Sequence, residues 1–497
     1  MDHPEEKEIN DSNGETSKLT PNVVMTEQDK IPYPKRVFLI FGSEFCERFN
    51  YYGLKAILVL YLKNKLAYDP NDATVLFHIF TAMTYSATIM GGIISDVWWG
   101  KFNTIFYLSM FYTVGSIIIS IGAVPLIDLS PNITLIIGLV LTAIGAGGIK
   151  PCVSAFGADQ FKIPEQADKL SKYFSLFYFT INAGPLISTT VLPILRGNVH
   201  CFGENDCYSL AFGVPAALMI ISILFFVTGK SSYTQVKISS ENMILQIFKC
   251  IKHAVHTKRL ERKTKPQKNL LDYSIDKYGI ELVSDIRIVM KILVLYLPLA
   301  FFWTLFGQLG SRWTLQANRM NGNLGFYIIK PDQMILLNSL LCILFVPLFE
   351  IIVYPILNKI GVRRPLQKIT IGGTLTGISF LLATLVEFKI VSSPMHSVNM
   401  LWQVPQYVIM ALGEVLFSVT GYAFSYEQAP VSMKSVLQSF WLLNIALGNG
   451  IFVVITKMNI VESQAHEFIL FASLMFVAMF IFGIMAHNFK NNTMLLK

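Results

Sequence analysis

The chain has 497 residues, 53% of them hydrophobic and 14% charged, with a formal net charge of +8 and a mean hydropathy of +0.51. Soluble domains carry about 25% charged residues, so the composition excludes an ordinary soluble protein and predicts an all-α, multi-pass membrane protein. The positive charge is not the footprint of a nucleic-acid binder. Lys and Arg cluster in loops beside apolar segments, the pattern of cytoplasmic loops facing anionic lipid.

Residues 1–34 are polar and acidic, without an apolar run, and read as a disordered cytosolic tail rather than a signal peptide. Apolar stretches of about 20 residues or more follow at 37–62, 74–98, 103–127, 134–157, 173–195, 208–228, 286–309, 333–357, 366–389, 401–425, 435–457 and 467–488, which makes twelve. An even number puts both termini on one side. Segment 229–287 holds twelve Lys and Arg, and loop 358–365 adds Lys359, Arg363 and Arg364. Loop 128–133 has none and loop 196–207 only Arg196. The positive-inside rule therefore places the termini and the 229–285 linker in the cytosol. It separates a six-helix bundle at 35–228 from a second at 286–489, with a short cytosolic tail at 490–497.

The first span opens with Glu44, Glu47, Arg48, Tyr51, Tyr52 and Lys55. Charges inside a spanning helix are costly. At about 100° per residue these six groups share roughly a 140° arc, and Glu44 and Arg48 are i,i+4 neighbours. Lipid cannot be what this stripe faces. It is either an internal ion pair that fixes helix packing or the wall of a water-filled pathway.

His78 lies early in the second span and Lys150 in the fourth, within Gly147-Gly-Ile-Lys150-Pro151. Tyr178 and Asn182 share a face of the fifth. In the second half, Lys291, Trp303, Asn338, Glu350, Glu414 and Trp441 are the polar or aromatic residues that stand out inside spans. His78 reads equally as a structural or a proton-handling residue, Asn182 as an interhelical hydrogen bond or a ligand, and Trp441 as core. Glu414, an isolated carboxylate at mid-span, is a functional candidate by its position alone. Positive groups gather in the first half and negative groups outnumber positive in the second, which suits a zwitterion with separated ends.

Residues 241–256 space Ile244, Ile247, Phe248, Ile251 and Val255 as an amphipathic helix on the cytosolic interface. No carboxylate or Cys ligand cluster joins His253 and His256, which read as solvated side chains, so no metal site is expected. Cys201 and Cys207 share one polar loop and can bridge if it is extracellular.

Six spans, a cytosolic linker and six more spans form the architecture of the major facilitator superfamily, in which two bundles rock about a midplane site. Gly92-Ile-Ile-Ser-Asp96-Val-Trp-Trp-Gly100-Lys101 resembles that superfamily's gating loop between helices two and three.

The sequence most closely resembles the proton-coupled oligopeptide transporters, and among them the animal di- and tripeptide transporters. The resemblance rests on Glu44-x-x-Glu47-Arg48-Phe-x-Tyr51-Tyr52-Gly53, on Gly147 to Phe161, on Phe174-Ser-x-Phe177-Tyr178-x-x-Ile-Asn182-Ala-Gly184, on Gly310 to Ala317 and on Phe424 to Pro430. It implies that Arg48 and Lys150 engage the peptide carboxylate, and that Asn182, Asn338 and Glu414 engage its amine. It implies proton coupling through Glu44, Glu47, His78 and Glu414, and a pocket lined by Tyr52, Tyr61, Tyr178, Trp303 and Trp441. Gating falls to Asp96, Lys101, Lys55 and the pair Lys291–Glu350. Protons are the coupling ion and no cofactor is implied. The partners are small peptides and the bilayer, the working unit is a monomer, and the membrane is the plasma membrane, with an endolysosomal membrane as the alternative.

Two departures stand out. About ten residues, near 391–400, take the place of the large extracellular domain of animal relatives. Gly307 stands where the family usually has an acid that pairs with the residue matching Lys55, and Leu309 replaces a polar residue. Other substrates on the same scaffold, such as nitrate, free histidine or a peptide-like metabolite, and a signalling receptor, are the competing readings. No arrangement of catalytic residues supports an enzyme.

Overall fold

Proline and polar caps set where the helices begin. Asp69 accepts a hydrogen bond from the Asn71 amide, and Pro70 follows in the first turn, where its missing N–H costs nothing. Pro131 and Pro365 start helices in the same way, and Asn399 caps another by accepting from the Leu401 amide. The computed structural model describes residues 32–162, 165–235, 243–261, 269–430, 433–461 and 463–489. The expected terminal tails, apart from residues 32–34, lie outside them.

In chain order the long helices are α1 Val37–Leu60, α2 Pro70–Ile94, α3 Gly100–Gly122, α4 Pro131–Ala158, α5 Ala167–Asn198, α6 Tyr208–Thr228 and α7 Met243–Glu261. They continue as α8 Ile280–Ala317, α9 Pro331–Lys359, α10 Pro365–Val391, α11 Met400–Gln428, α12 Lys434–Lys457 and α13 Gln464–Asn488. Among the described residues, ten helical segments are long and apolar enough to cross a membrane. One of them, Pro70–Gly122, contains both α2 and α3. Helix α1 falls outside the ten and carries Glu44, Glu47, Arg48 and Lys55. Counting α2 and α3 separately and adding α1 recovers the twelve spans read from the sequence.

Among the described residues two large apolar cores and one small one form. One large core gathers side chains from Val37 to Tyr233 together with Leu315, the other gathers them from Ile244 to Phe482, and the small one holds Phe349, Val415 and Leu416. In the first half α3 packs on α4, α2 on α4, and α1 on α5 and α6. In the second, α10 packs on α13 and α11, and α8 on α12. The halves meet where α2 lies along α12 and α5 touches α9.

Glycines permit the closest approach inside the first half. A Cβ at Gly91 of α2 would lie 2.0 Å from the Gly148 carbonyl oxygen of α4, and one at Gly147 would lie 2.0 Å from that of Thr84. Gly92, the residue after Gly91, faces open space. Gly100 makes a tight turn before α3, with φ at 72° in the left-handed region.

Helix α7 forms as expected, although its apolar stripe divides. Ile244, Ile247, Cys250 and Ala254 are buried, while Phe248 and Val255 are exposed. His253 Nδ1 lies 3.2 Å from Ser274 Oγ. Cys201 and Cys207 are joined by a disulfide.

Candidate functional site: a charged cavity between the two halves

The charged stripe of α1 folds inward as one cluster. Arg48 Nε donates to Glu44 Oε1 at 2.7 Å and lies 3.1 Å from Glu47 Oε2. Lys150 Nζ, from α4, stands 4.0 Å from Glu47 Oε1. Glu44 and Glu47 are each 2% exposed and Arg48 8%. The pairing is incomplete, because neither Glu47 oxygen nor Lys150 Nζ has a hydrogen-bond partner among the described residues. Buried charges left short of hydrogen bonds are expensive. Lys150 rests instead 4.1 Å from the Tyr51 ring centroid and 5.8 Å from that of Tyr85, a contact that stabilises an ammonium only partly. The cluster is therefore poised to accept further charge or hydrogen bonds.

A cavity of about 370 Å³ lies between the halves, within the range of small-molecule sites, about 300–1,000 Å³. Its first-half wall includes Tyr52, Lys55, Thr81, Tyr85, Tyr178 and Asn182. Its second-half wall includes Trp303, Gly307, Asn338, Cys342, Glu414 and Asn449. Asn338 Nδ2 donates to Glu414 Oε2 at 2.7 Å, and Cys342 Sγ to the same oxygen at 3.0 Å. Asn182 Nδ2 donates to its own helix, at the Tyr178 carbonyl. Asn338 Oδ1 and Trp303 Nε1 have no hydrogen-bond partner among the described residues. A single turn of π-helix, Val415–Val419, begins directly after Glu414, a distortion often found at functional positions.

Tyr52, Tyr178 and Trp303 line this cavity. Tyr61 and Trp441 do not. Tyr61, at the start of the π-helical turn that follows α1, is 2% exposed and packs against Tyr208 and Phe212 in the first core. Trp441 lies in the second core, with its ring against Gly421 and its centroid 6.2 Å from that of Trp303, which it supports from behind.

The face opposite the start of α1 and the end of α13, here the distal face, is closed by contacts between halves. Arg196 of α5 donates to both oxygens of Asp332, at 2.8 and 3.0 Å, and Asp332 is fully buried. Arg312 donates to Asn71 Oδ1 at 2.7 Å, and Lys457 pairs with Asp72 at 2.6 Å. Below these, His78 is fully buried between Asn449 Oδ1, 2.7 Å from Nδ1, and Ser311 Oγ, 3.0 Å from Nε2. Helix α8 reaches Ser311 because it breaks into 3₁₀ turns at Leu297–Leu299 and Gly307–Gly310. On the other face, Tyr178 of α5 lines the cavity and is about half exposed, so the cavity opens there, and Tyr426 of α11 is about half exposed as well.

The remaining expected gating residues divide. Lys101 pairs with Asp159 at 2.5 Å and so ties the start of α3 to the end of α4. Asp96 lies in the π-helical turn Ser95–Trp99 just before α3. Lys291 and Glu350 are both exposed and do not pair with each other in this conformation. The Arg196–Asp332 and Arg312–Glu467 pairs were not anticipated. Arg196 is the lone cation of its loop and Asp332 follows a helix-starting proline, but nothing local says that they meet. Among the described residues, no group of three or more His, Cys, Asp and Glu side chains is placed to hold a metal ion.

Two helical halves around a charged cavity, closed on one face and open on the other, define a membrane transport protein of the alternating-access class. A family model for the POT family matches residues 102–471. The chain is 36% identical to peptide transporter family 1 of Drosophila melanogaster, over 93% of this chain and 88% of that protein. It is 32% identical to human solute carrier family 15 member 2, over 92% and 90% respectively. Among solved structures, it is similar to the in meso crystal structure of the POT family transporter PepTSo, with a TM-score of 0.80, 28% identity, and coverage of 92% of this chain and 98% of that one. The crystal structure of an auto-inhibited POT family peptide transporter matches with a TM-score of 0.78 and 26% identity, over the same shares of the two chains. The chain belongs to the POT family of membrane transporters.

Proposed function

We propose that the protein is a proton-coupled symporter that carries di- and tripeptides into the cytosol by alternating access. The observation that carries this reading is the under-satisfied cluster Glu44–Arg48–Glu47···Lys150 behind one wall of a cavity whose opposite wall holds Asn338 and Glu414. Arg48 and Lys150 receive the peptide carboxylate, while Glu414, Asn338 and Asn182 receive its amine. Once a substrate carboxylate competes for Arg48, Glu44 and Glu47 lose their partner and become the acceptors of the coupled proton. Peptide and proton then move together. His78 serves the same coupling at the distal gate.

Positive-inside counting puts the open face in the cytosol, so this conformation is inward-facing. Bundles 35–228 and 286–489 rock about the cavity, with Lys291 and Glu350 meeting when the inner face closes. The working unit is a monomer in the plasma membrane.

Uptake of a labelled dipeptide into proteoliposomes, with and without an inward proton gradient, tests the reading. Accumulation above the external concentration is expected only with the gradient, and Glu47→Gln should abolish it. Gradient-driven accumulation intact in that variant would remove Glu47 from the coupling.

A further inference from the structure

Among the Lys and Arg residues described, Lys55 alone stands on the cavity wall, where the only acidic side chain is Glu414. Glu414 is engaged by Asn338 and Cys342. Lys55 is not. Its Nζ lies 4.8 Å from the Phe77 ring centroid and 5.7 Å from that of Tyr51, and it makes no ion pair among the described residues. The facing 3₁₀ turn, Gly307–Gly310, cannot supply a carboxylate. Gly307 has no side chain, and a Cβ there would already sit 2.8 Å from His78 Cε1. Gly310 covers the edge of Phe77, where an added Cβ would lie 3.1 Å from Cζ.

Lys55 and Arg48 are seven residues apart on α1. That spacing gives nearly the same azimuth and about 10.5 Å of rise. Two cationic points therefore lie along one face of α1, Lys55 on the cavity wall nearer the distal gate and Arg48, with Lys150, behind that wall.

We propose that Lys55 is a specificity-determining residue that receives the side-chain carboxylate of acidic peptides. This inference rests on the transport reading above. The peptide's own carboxylate goes to Arg48 and Lys150, and an aspartyl or glutamyl side chain reaches on to Lys55. An ammonium resting on aromatic faces keeps donors unused, and a carboxylate brought to it forms a charge-assisted hydrogen bond that a neutral amide cannot match.

The test compares Glu-Ala with its neutral near-isostere Gln-Ala, using the full-length protein in proteoliposomes under one fixed proton gradient. The wild type should show a half-saturation concentration for Glu-Ala lower by about tenfold, the size expected of one hydrogen bond to a charged group. Lys55→Gln should bring the ratio close to one, and Lys55→Arg should keep it. The ratio is taken within each protein, so a general loss of transport cancels. If Lys55→Gln does not transport, the same ratio is read from peptide-induced shifts in the unfolding temperature of the detergent-purified protein. Gln-Ala uptake with no preference for Glu-Ala, or a preference that survives Lys55→Gln, overturns the role of Lys55 and leaves the transport reading standing. Gradient-driven uptake of neither peptide overturns both.

Discussion

His78 of α2 and Asn449 of α12 meet at 2.7 Å across the two halves, with Gly307 lying against the imidazole. The sequence comparison points to an acid missing at position 307. The structure shows that the place beside His78 is filled from another helix, by a neutral amide. Phe452 stacks on the ring at 3.7 Å and Ser311 takes the other nitrogen. Simply restoring a carboxylate at 307 is therefore not a repair. Gly307→Ala already forces His78 or Asn449 aside and should cost about 1–3 kcal/mol, the usual cost of overpacking. Gly307→Asp should cost at least as much and disturb the His78–Asn449 contact. Thermal unfolding of the purified variants checks this, and unfolding temperatures equal to the wild type would show that the 3₁₀ turn yields freely.

Arg196 and Asp332 hold the distal face closed. Asp332→Asn leaves the Arg196 guanidinium buried, with Asp206, 3.5 Å away, as its one remaining carboxylate among the described residues. Breaking a buried pair costs about 3–5 kcal/mol, and here the cost falls on the closed distal conformation. The variant should expose cysteines introduced near the gate to a membrane-impermeant thiol reagent. Exchanging the two charges should restore part of the protection. Labelling no faster than in the parent would mean that Arg312–Asn71 and Lys457–Asp72 suffice.

Lys150 has no hydrogen-bond partner among the described residues and stands 4.0 Å from Glu47. If it receives the peptide carboxylate, Lys150→Ala should raise the half-saturation concentration of a free-acid dipeptide about tenfold more than that of the amidated peptide. Equal effects on the two would assign Lys150 to positioning Glu47 alone.

The free cysteines make the open face measurable. Cys46, Cys152 and Cys250 are buried, whereas Cys342 is partly exposed and lines the cavity. A small maleimide should label Cys342 first in the folded protein, and saturating dipeptide should slow that labelling. Labelling of Cys250 at the same rate would show that α7 opens away from the Ser274 segment.

Much of the fold was legible because a bilayer leaves few options. Length and apolarity marked the spans, and lysine and arginine counts ordered the loops. The α1 stripe was legible too, since helical periodicity places Glu44, Arg48 and Lys55 on one face whatever surrounds them. Tyr61 was misplaced because similarity of sequence says nothing of where a helix leaves the cavity. Asn449, between two glycines, carried a signal only as a polar residue inside a span.

The sequence by itself determined the number of spans, the in-facing charges of α1 and the family resemblance, because these depend on composition, period and local motif. Only the tertiary structure decided which charges are answered. Arg48 finds Glu44 four residues away on its own helix. Arg196 finds Asp332 across 136 positions of chain. His78 finds Asn449 across 371. Lys55 finds aromatic rings and, among the described residues, no carboxylate. Partnerships of that range depend on how α2, α5, α8, α9 and α12 converge, a property of packing that no window of sequence contains.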